Sequence, residues 1–222
     1  MFEGRSECPH CLSQLGFWDL IPVISFFLLK RKCRYCKKNI SWQYPLVEFG
    51  TGILFAIVSL NHPENFSVAA LTRDLAIVFF LEFVFLFDLL YGEILNRSTL
   101  IPGGLLLVFS FFFHWQTPKN IFLGILIGGG FFFLQYIVSK GKWVGGGDVR
   151  LGFFMGVILG WPLIWVALFL SYVGGAVILS PFLFLKKLNK GSKIPFGTLL
   201  VPATFIAYFW GENLLKWWLH HF

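Results

Sequence analysis

Residues 75–91 read LAIVFFLEFVFLFDLLY, an apolar run interrupted only by Glu82 and Asp88. Crossing a bilayer as a helix takes roughly 20 such residues, with about 17–25 tolerated. A carboxylate inside such a run costs several kcal/mol, so each one marks a functional position unless something else explains it. The stretch therefore assigns the chain to the membrane and singles out its acids.

The rest of the chain agrees. Hydrophobic residues make up 57% and aromatics 20%, against about 45–50% apolar in soluble domains. The 29 Phe and 9 Trp suit lipid-facing and interfacial positions. The net charge of +7 lies in short clusters between apolar runs, which reads as loop topology and excludes a nucleic-acid-binding face. A secretory signal is not evident, because residues 1–40 are polar, basic and cysteine-bearing.

Apolar runs of spanning type are predicted at about 44–61, 74–91, 98–115, 120–139, 149–162, 163–185 and 197–219. The fold class is thus all-α: a polytopic membrane helix bundle of about seven spans, with a small N-terminal zinc-knuckle domain. The expected domains are 1–43, a four-cysteine zinc-binding domain, and 44–222, the transmembrane domain. The short fifth span ends at Trp161-Pro162, where a broken or re-entrant segment is an alternative.

With residues 1–43 on the cytoplasmic side, seven spans also put the loops near 92–97, 140–150 and 186–195 there. Of the 18 Lys and Arg, only Arg73, Lys119 and Lys216 then fall outside the cytoplasmic segments. That bias follows the positive-inside rule and places the N-terminal domain in the cytoplasm.

Cys8-Pro-His-Cys11 and Cys33-Arg-Tyr-Cys36 are two CxxC knuckles. Two such turns bring four thiolates into a tetrahedral shell suited to zinc. Disulfides are disfavoured in a reducing cytoplasm, and a redox CxxC would need a βαβ context that 42 residues cannot supply. A shell of four cysteines is closed, which makes the zinc structural. His10, inside the first knuckle, reads as a solvated neighbour.

Four acids lie in or beside apolar spans: Glu48, Glu82, Asp88 and Asp148. Asp88 and Asp148 come from different helices to the same depth, at the cytoplasmic ends of the second and fifth spans. Facing carboxylates share a proton, so one serves as general base on a water while the other polarises a carbonyl. Gly145, Gly146 and Gly147 remove side chains beside Asp148 and let an extended substrate backbone approach. The plainer alternatives are an N-cap role for Asp148 and, for Asp88, a snorkelling or a helix-paired carboxylate with Arg97 as the partner. Glu82 is turned about 120° from Asp88 on the helix.

Taken together, GRSECPHC (4–11), WDLIPVISF (18–26), KCRYCKKNISWQYPLVEFGTG (32–52), the Asp88 segment, GGGDVRLGFFMG (145–156) and KIPFGTLLVP (193–202) resemble the type IV prepilin leader peptidases. These are intramembrane aspartyl proteases of the GxGD type. The resemblance implies that Asp88 and Asp148 are the catalytic pair, cutting prepilins or pseudopilins of type IV pili or type II secretion after a glycine. It places the cut at the cytoplasmic face of the bacterial inner (plasma) membrane. It implies N-methylation of the new terminal residue from S-adenosylmethionine, with Glu48 the methylation candidate. A helix-start carboxylate stabilised by the dipole is the alternative for Glu48.

Two departures from the family pattern stand out. Family members usually begin with a further span ending in Gly-Ser-Phe-Leu-Asn, whereas here Met1 almost directly precedes Gly4-Arg5-Ser6, so the chain reads as starting one helix late. After the first aspartate, Ile94-Leu95 replaces the family's Ile-Pro, which predicts a more helical continuation past Asp88.

Other classes of function carry their own expectations. A small cation channel or transporter would use the acids as an ion path and needs them at several depths. A non-catalytic assembly protein would use the knuckle to dock a partner.

Overall fold

The structure, a computed structural model, describes residues 6–61, 67–184 and 195–221. Arg5 and the basic loop bearing Lys186, Lys187, Lys190 and Lys193 lie outside these residues. The chain divides into two compact units, residues 1–65 and 66–222.

The first unit opens with the cysteine segment, in which two isolated antiparallel bridges, Glu7 to Gln14 and Lys32 to Asn39, close the two knuckles. A short helix α1 (Ile24–Leu28) separates the knuckles, and α2 (Gln43–Asn61) follows. The knuckles are conformational copies. In each, the first cysteine's amide donates to the carbonyl five residues on: Cys8 to Ser13 at 3.0 Å and Cys33 to Lys38 at 2.9 Å. In each, the residue after the second cysteine takes a left-handed conformation, Leu12 at φ 55° and Lys37 at φ 58°. The local repeat therefore includes the backbone as well as the CxxC spacing.

The second unit contains α3 (Val68–Tyr91), α4 (Asn96–Phe113), α5 (Pro118–Ser139), α6 (Gly146–Leu159), α7 (Leu163–Phe169), α8 (Gly175–Phe184) and α9 (Gly197–His221). A single π-helical turn, Leu170–Gly174, joins α7 to α8. With α2, and α7–α8 taken as one rod, the described residues form seven helical rods whose ends lie within about three residues of the expected spans, except that α3 starts at Val68, six residues before the expected 74. Local chemistry sets their ends. Ser67 caps α3 by accepting from the Ala70 amide at 3.1 Å, and α5 starts with Thr117 as cap and Pro118 in the first turn.

Four segments are long and apolar enough to cross a membrane by themselves: Gln43–Asn61, Asn96–Phe113, Pro118–Ser139 and Leu163–Pro181. The other three rods owe their place to the bundle. α3 carries Arg73, Asp74, Glu82 and Asp88, and α9 carries Glu212 and Lys216. At 14 residues, α6 is about 21 Å long at 1.5 Å per residue, short of a 30 Å hydrocarbon core. It is also the most enclosed, with Leu151, Phe154 and Met155 fully buried. Its C-terminal end is closed by Gly160 at φ 63° and a cis Trp161-Pro162 bond. The Gln116 amide donates to the Ile158 carbonyl at 2.8 Å, so the helix ends with that acceptor satisfied.

Around α6 pack α5, α4 and α9. The α5–α6 pair is antiparallel and glycine-lined. A Cβ on Gly124 would stand 2.5 Å from the Gly156 carbonyl oxygen, and one on Gly152 would stand 2.6 Å from that of Gly128. Backbone thus packs on backbone, the contact that small residues allow in membranes, where hydrophobic burial between helices supplies no drive. Large apolar residues such as Phe111, Phe112, Phe122 and Leu134 point outward, as a lipid-facing surface requires.

Gly152→Ala is expected to lower the protein's stability by about 1–3 kcal/mol through overpacking. Gly130→Ala on α5, where an added methyl meets nothing within 4 Å, is expected to be neutral. Thermal unfolding in detergent micelles checks both.

Candidate active site

α3 leaves the bundle at Gly92, a left-handed cap (φ 66°) whose amide donates to the Asp88 carbonyl at 2.8 Å. Residues 93–95 are non-helical, and α4 starts only after the extended Leu95. The expected helical continuation is therefore corrected. Loss of a proline does not extend the helix, because Gly92 ends it three residues earlier.

The Asp88 side chain is buried at 3% exposure, and its partner comes from far along the chain. The Thr198 amide, at the start of α9, donates to Asp88 Oδ2 at 3.0 Å. Among the described residues, this contact with the α9 N-terminus takes the place of the alternative pairing with Arg97. Gly197 makes the approach possible, since a Cβ there would lie 2.6 Å from the same carboxylate oxygen. Gly197 and Thr198 escaped the sequence reading although they fall within KIPFGTLLVP; a Gly-Thr pair opening a helix after Pro is the signal that could have found them.

Asp148 sits in the first turn of α6. It is not the N-cap, which is Gly145; it is the third helical residue and reaches back to accept from the Gly145 amide at 2.9 Å. That is the carboxylate half of a capping box, with glycine in place of the hydroxyl residue. The capping alternative thus holds in part and uses one carboxylate oxygen.

Asp88 and Asp148 line one cavity of about 980 Å³, together with Gly145, Gly147, Arg150 and Phe196. Ile94 is wedged between the two halves: a Cβ on Gly147 would meet it at 3.0 Å and one on Gly197 at 3.2 Å. Of the three glycines, Gly147 is needed for packing against Ile94, while Gly145 supplies an amide and open wall. Gly146 does not line the cavity. The wall carries Asp88, Glu93 and Asp148 against Arg97, Lys142 and Arg150, an even balance. Arg150 bridges α6 to the α3–α4 connection by donating to the Ile94 carbonyl at 3.5 Å. Its Nε is buried with no partner among the described residues, a residue role that spacing alone did not reveal.

A second polar group, also unanticipated, lies at the opposite end of α3. Asp74 pairs with Arg73 and accepts from the Tyr208 hydroxyl at 2.6 Å, while Arg73 stacks over Trp115 at 4.8 Å. Asp74 and Asp88 are 14 residues apart, about 21 Å along the helix. Ile77, Val78, Leu81 and Val84, all buried, fill the face between them.

In the N-terminal unit, the Sγ atoms of Cys8, Cys11, Cys33 and Cys36 lie within 4.8 Å of one another. Cys8 and Cys36 are 3.9 Å apart, and all four cysteines are free thiols. A tetrahedron with metal–sulfur bonds of about 2.3 Å has edges of about 3.8 Å, so the cluster could hold a metal ion as it stands. Hydrogen bonds from Ser13 lower the Cys11 thiol to about 6, and the Cys36 and Tyr35 amides lower that of Cys33. These hydrogen bonds favour the thiolate at Cys11 and Cys33. At Cys36 the Lys38 backbone hydrogen bond also lowers the thiol, but burial and the neighbouring thiols outweigh it and push Cys36 up to about 11. Glu48 accepts from the Val23 amide at 2.7 Å and remains exposed. Val23 itself stands at φ 62°, where a β-branched residue is seldom found.

Comparison with known proteins follows the same division. Residues 1–62 match the Bacterial Peptidase A24 N-terminal domain, and residues 75–180 match the Type IV leader peptidase family. A prepilin leader peptidase/N-methyltransferase of Stutzerimonas stutzeri is 30% identical over 96% of this chain and 74% of its own length. Those of Aeromonas hydrophila (30%, covering 98% and 76%) and Bacillus subtilis strain 168 (29%, covering 97% and 85%) are similar. No solved structure matches the chain. With these matches over nearly its whole length, the chain is a multi-pass membrane protein that belongs to the type IV leader peptidase family.

Proposed function

We propose that this protein is an aspartic endopeptidase that removes the leader peptides of type IV prepilins or pseudopilins at the cytoplasmic face of the bacterial inner membrane. It then N-methylates the new terminal residue. The observation that carries the proposal is the single cavity lined by Asp88 and Asp148, in a chain whose relatives are named prepilin leader peptidase/N-methyltransferases.

In this reading the scissile glycine carbonyl lies between the two carboxylates. One carboxylate takes a proton from water, the other donates a hydrogen bond to the carbonyl, and the roles reverse as the amine leaves. Thr198 and Gly145 orient the pair through their amides. Gly145 and Gly147 leave room for an extended strand, and Phe196 supplies an apolar wall. The positive-inside pattern of the loops supports the cytoplasmic side.

Zinc is the metal the four thiolates would hold. Bound there, it would cross-link the two knuckles and fix the fold of the N-terminal unit, with no open position for chemistry. Methyl transfer would draw on S-adenosylmethionine, and Glu48 would hold the amine that accepts the methyl group.

An ion-conducting role is disfavoured by the buried apolar face between Asp74 and Asp88 on α3. A proton-flux assay in liposomes would reverse that judgement if it registered a current abolished by Asp88→Asn.

Asp88→Asn and Asp148→Asn are each expected to lower leader removal by at least about a hundredfold while the protein stays folded. Mass spectrometry of a co-expressed prepilin reads the result. Gly197→Ala, which must displace the Asp88 carboxylate, is expected to slow cleavage roughly ten- to a hundredfold, with folding checked by thermal unfolding. Removing the metal with a chelator is expected to speed hydrogen exchange of residues 6–42, while protein that keeps its membrane fold continues to cleave. Loss of cleavage without loss of structure would instead indicate a catalytic metal.

A further inference from the structure

The N-terminal unit carries an apolar surface that its own folding does not use. Phe26 of α1 is buried, but its neighbours Ile24, Phe27 and Leu28 are exposed. So are Phe17 and Trp18, at 78% and 71%. Next along the chain come Lys30, Arg31, Lys32, Arg34, Lys37 and Lys38, all exposed. Between residues 17 and 42 the one acid is Asp19, and it is paired with Arg34 at 2.7 Å. An apolar tip beside a nearly unopposed basic strip is the pattern of a surface that rests on an anionic membrane.

The depth of this surface is set within the same unit. The Val23 amide, at the head of α1, donates to Glu48, five residues into α2. At 1.5 Å per residue that is about 7.5 Å beyond the start of the helix. The rings of Phe26 and Phe27 lie 5.0 and 6.3 Å from that of Trp42, the residue immediately before α2, and Arg31 stands 5.9 Å over the same Trp42 ring. α2 is itself long and apolar enough to span a membrane. Wherever it crosses, α1 is held alongside its first turns, at the level where apolar core meets headgroups.

We propose that residues 17–28 form an interfacial docking face of the N-terminal unit, seated in the leaflet from which α2 enters. The basic strip 30–38 would bind anionic phospholipid headgroups there. The hydrogen bond from the strained Val23 to Glu48 is the strut that holds the face at this depth. The inference depends on α2 crossing the membrane and is independent of the chemistry proposed for Asp88 and Asp148.

The test uses the full chain in nanodiscs of phosphatidylcholine alone or mixed with phosphatidylglycerol, followed by hydrogen exchange. Amides of residues 17–29 are expected to exchange at least about tenfold more slowly in the anionic discs. The combined variant Lys30→Glu, Lys32→Glu, Lys37→Glu is expected to lose that difference. Unchanged protection of the Cys8 and Cys33 amides would show that its knuckles remain intact. Benzoylphenylalanine in place of Trp18 is expected to cross-link to phosphatidylglycerol on illumination. Equal exchange in the two kinds of disc would overturn the proposal. So would cross-linking of position 18 to the chain itself or to a second copy in place of lipid.

Discussion

A carboxylate buried in an apolar helix needs a hydrogen-bond donor, and in this bundle Asp88 finds one in the amide of Thr198, 110 residues away. The rest of the site follows from that requirement. The contact brings the start of α9 to the end of α3, and only a glycine at 197 allows the approach. Ile94 fills the space that remains and touches the positions of both Gly197 and Gly147, bringing the first turn of α6 against the same wall. A polar cavity at one end of a helix bundle is therefore a consequence of satisfying one buried acid.

The bundle can hold such a cavity because its centre is rigid. Glycines 124, 128, 152 and 156 let α5 and α6 meet backbone to backbone. That contact seats a helix too short to span a membrane among longer ones, and it delivers Asp148 to the cavity rather than to lipid. The polar group at the far end of α3 follows the same rule: Asp74 is buried, and both Arg73 and Tyr208 turn towards it. Each end of α3 is polar, and the middle is apolar on its inward face.

The N-terminal unit is held by different means. It has few buried side chains, and its order rests on two copies of one knuckle turn, each bringing a pair of cysteines to a common centre. Such a small core is stabilised when a metal closes it. The unit's exposed apolar face and its basic strip are then left for the environment around α2.

Much of this was legible from residue order. The apolar runs predicted the helical rods to within about three residues at every end but one, because a spanning helix must satisfy its backbone internally and shield it with apolar side chains. The exception is α3, which begins six residues early, at Val68, with polar residues in its first turns. The CxxC pairs predicted the cysteine cluster, because ligand spacing is a local property. Asp88 and Asp148 stood out because carboxylates are costly in apolar segments. Tertiary structure decided what depends on meetings between distant segments: the Thr198 amide at Asp88, the Gly197 clearance, the Arg150 bridge, and the Arg73–Asp74–Tyr208 group. It also decided where α3 ends, since a left-handed Gly92 overrode the expectation drawn from Leu95. Composition and periodicity are summed along the chain and survive in the sequence. A hydrogen bond between residues 110 apart exists only once the helices have packed.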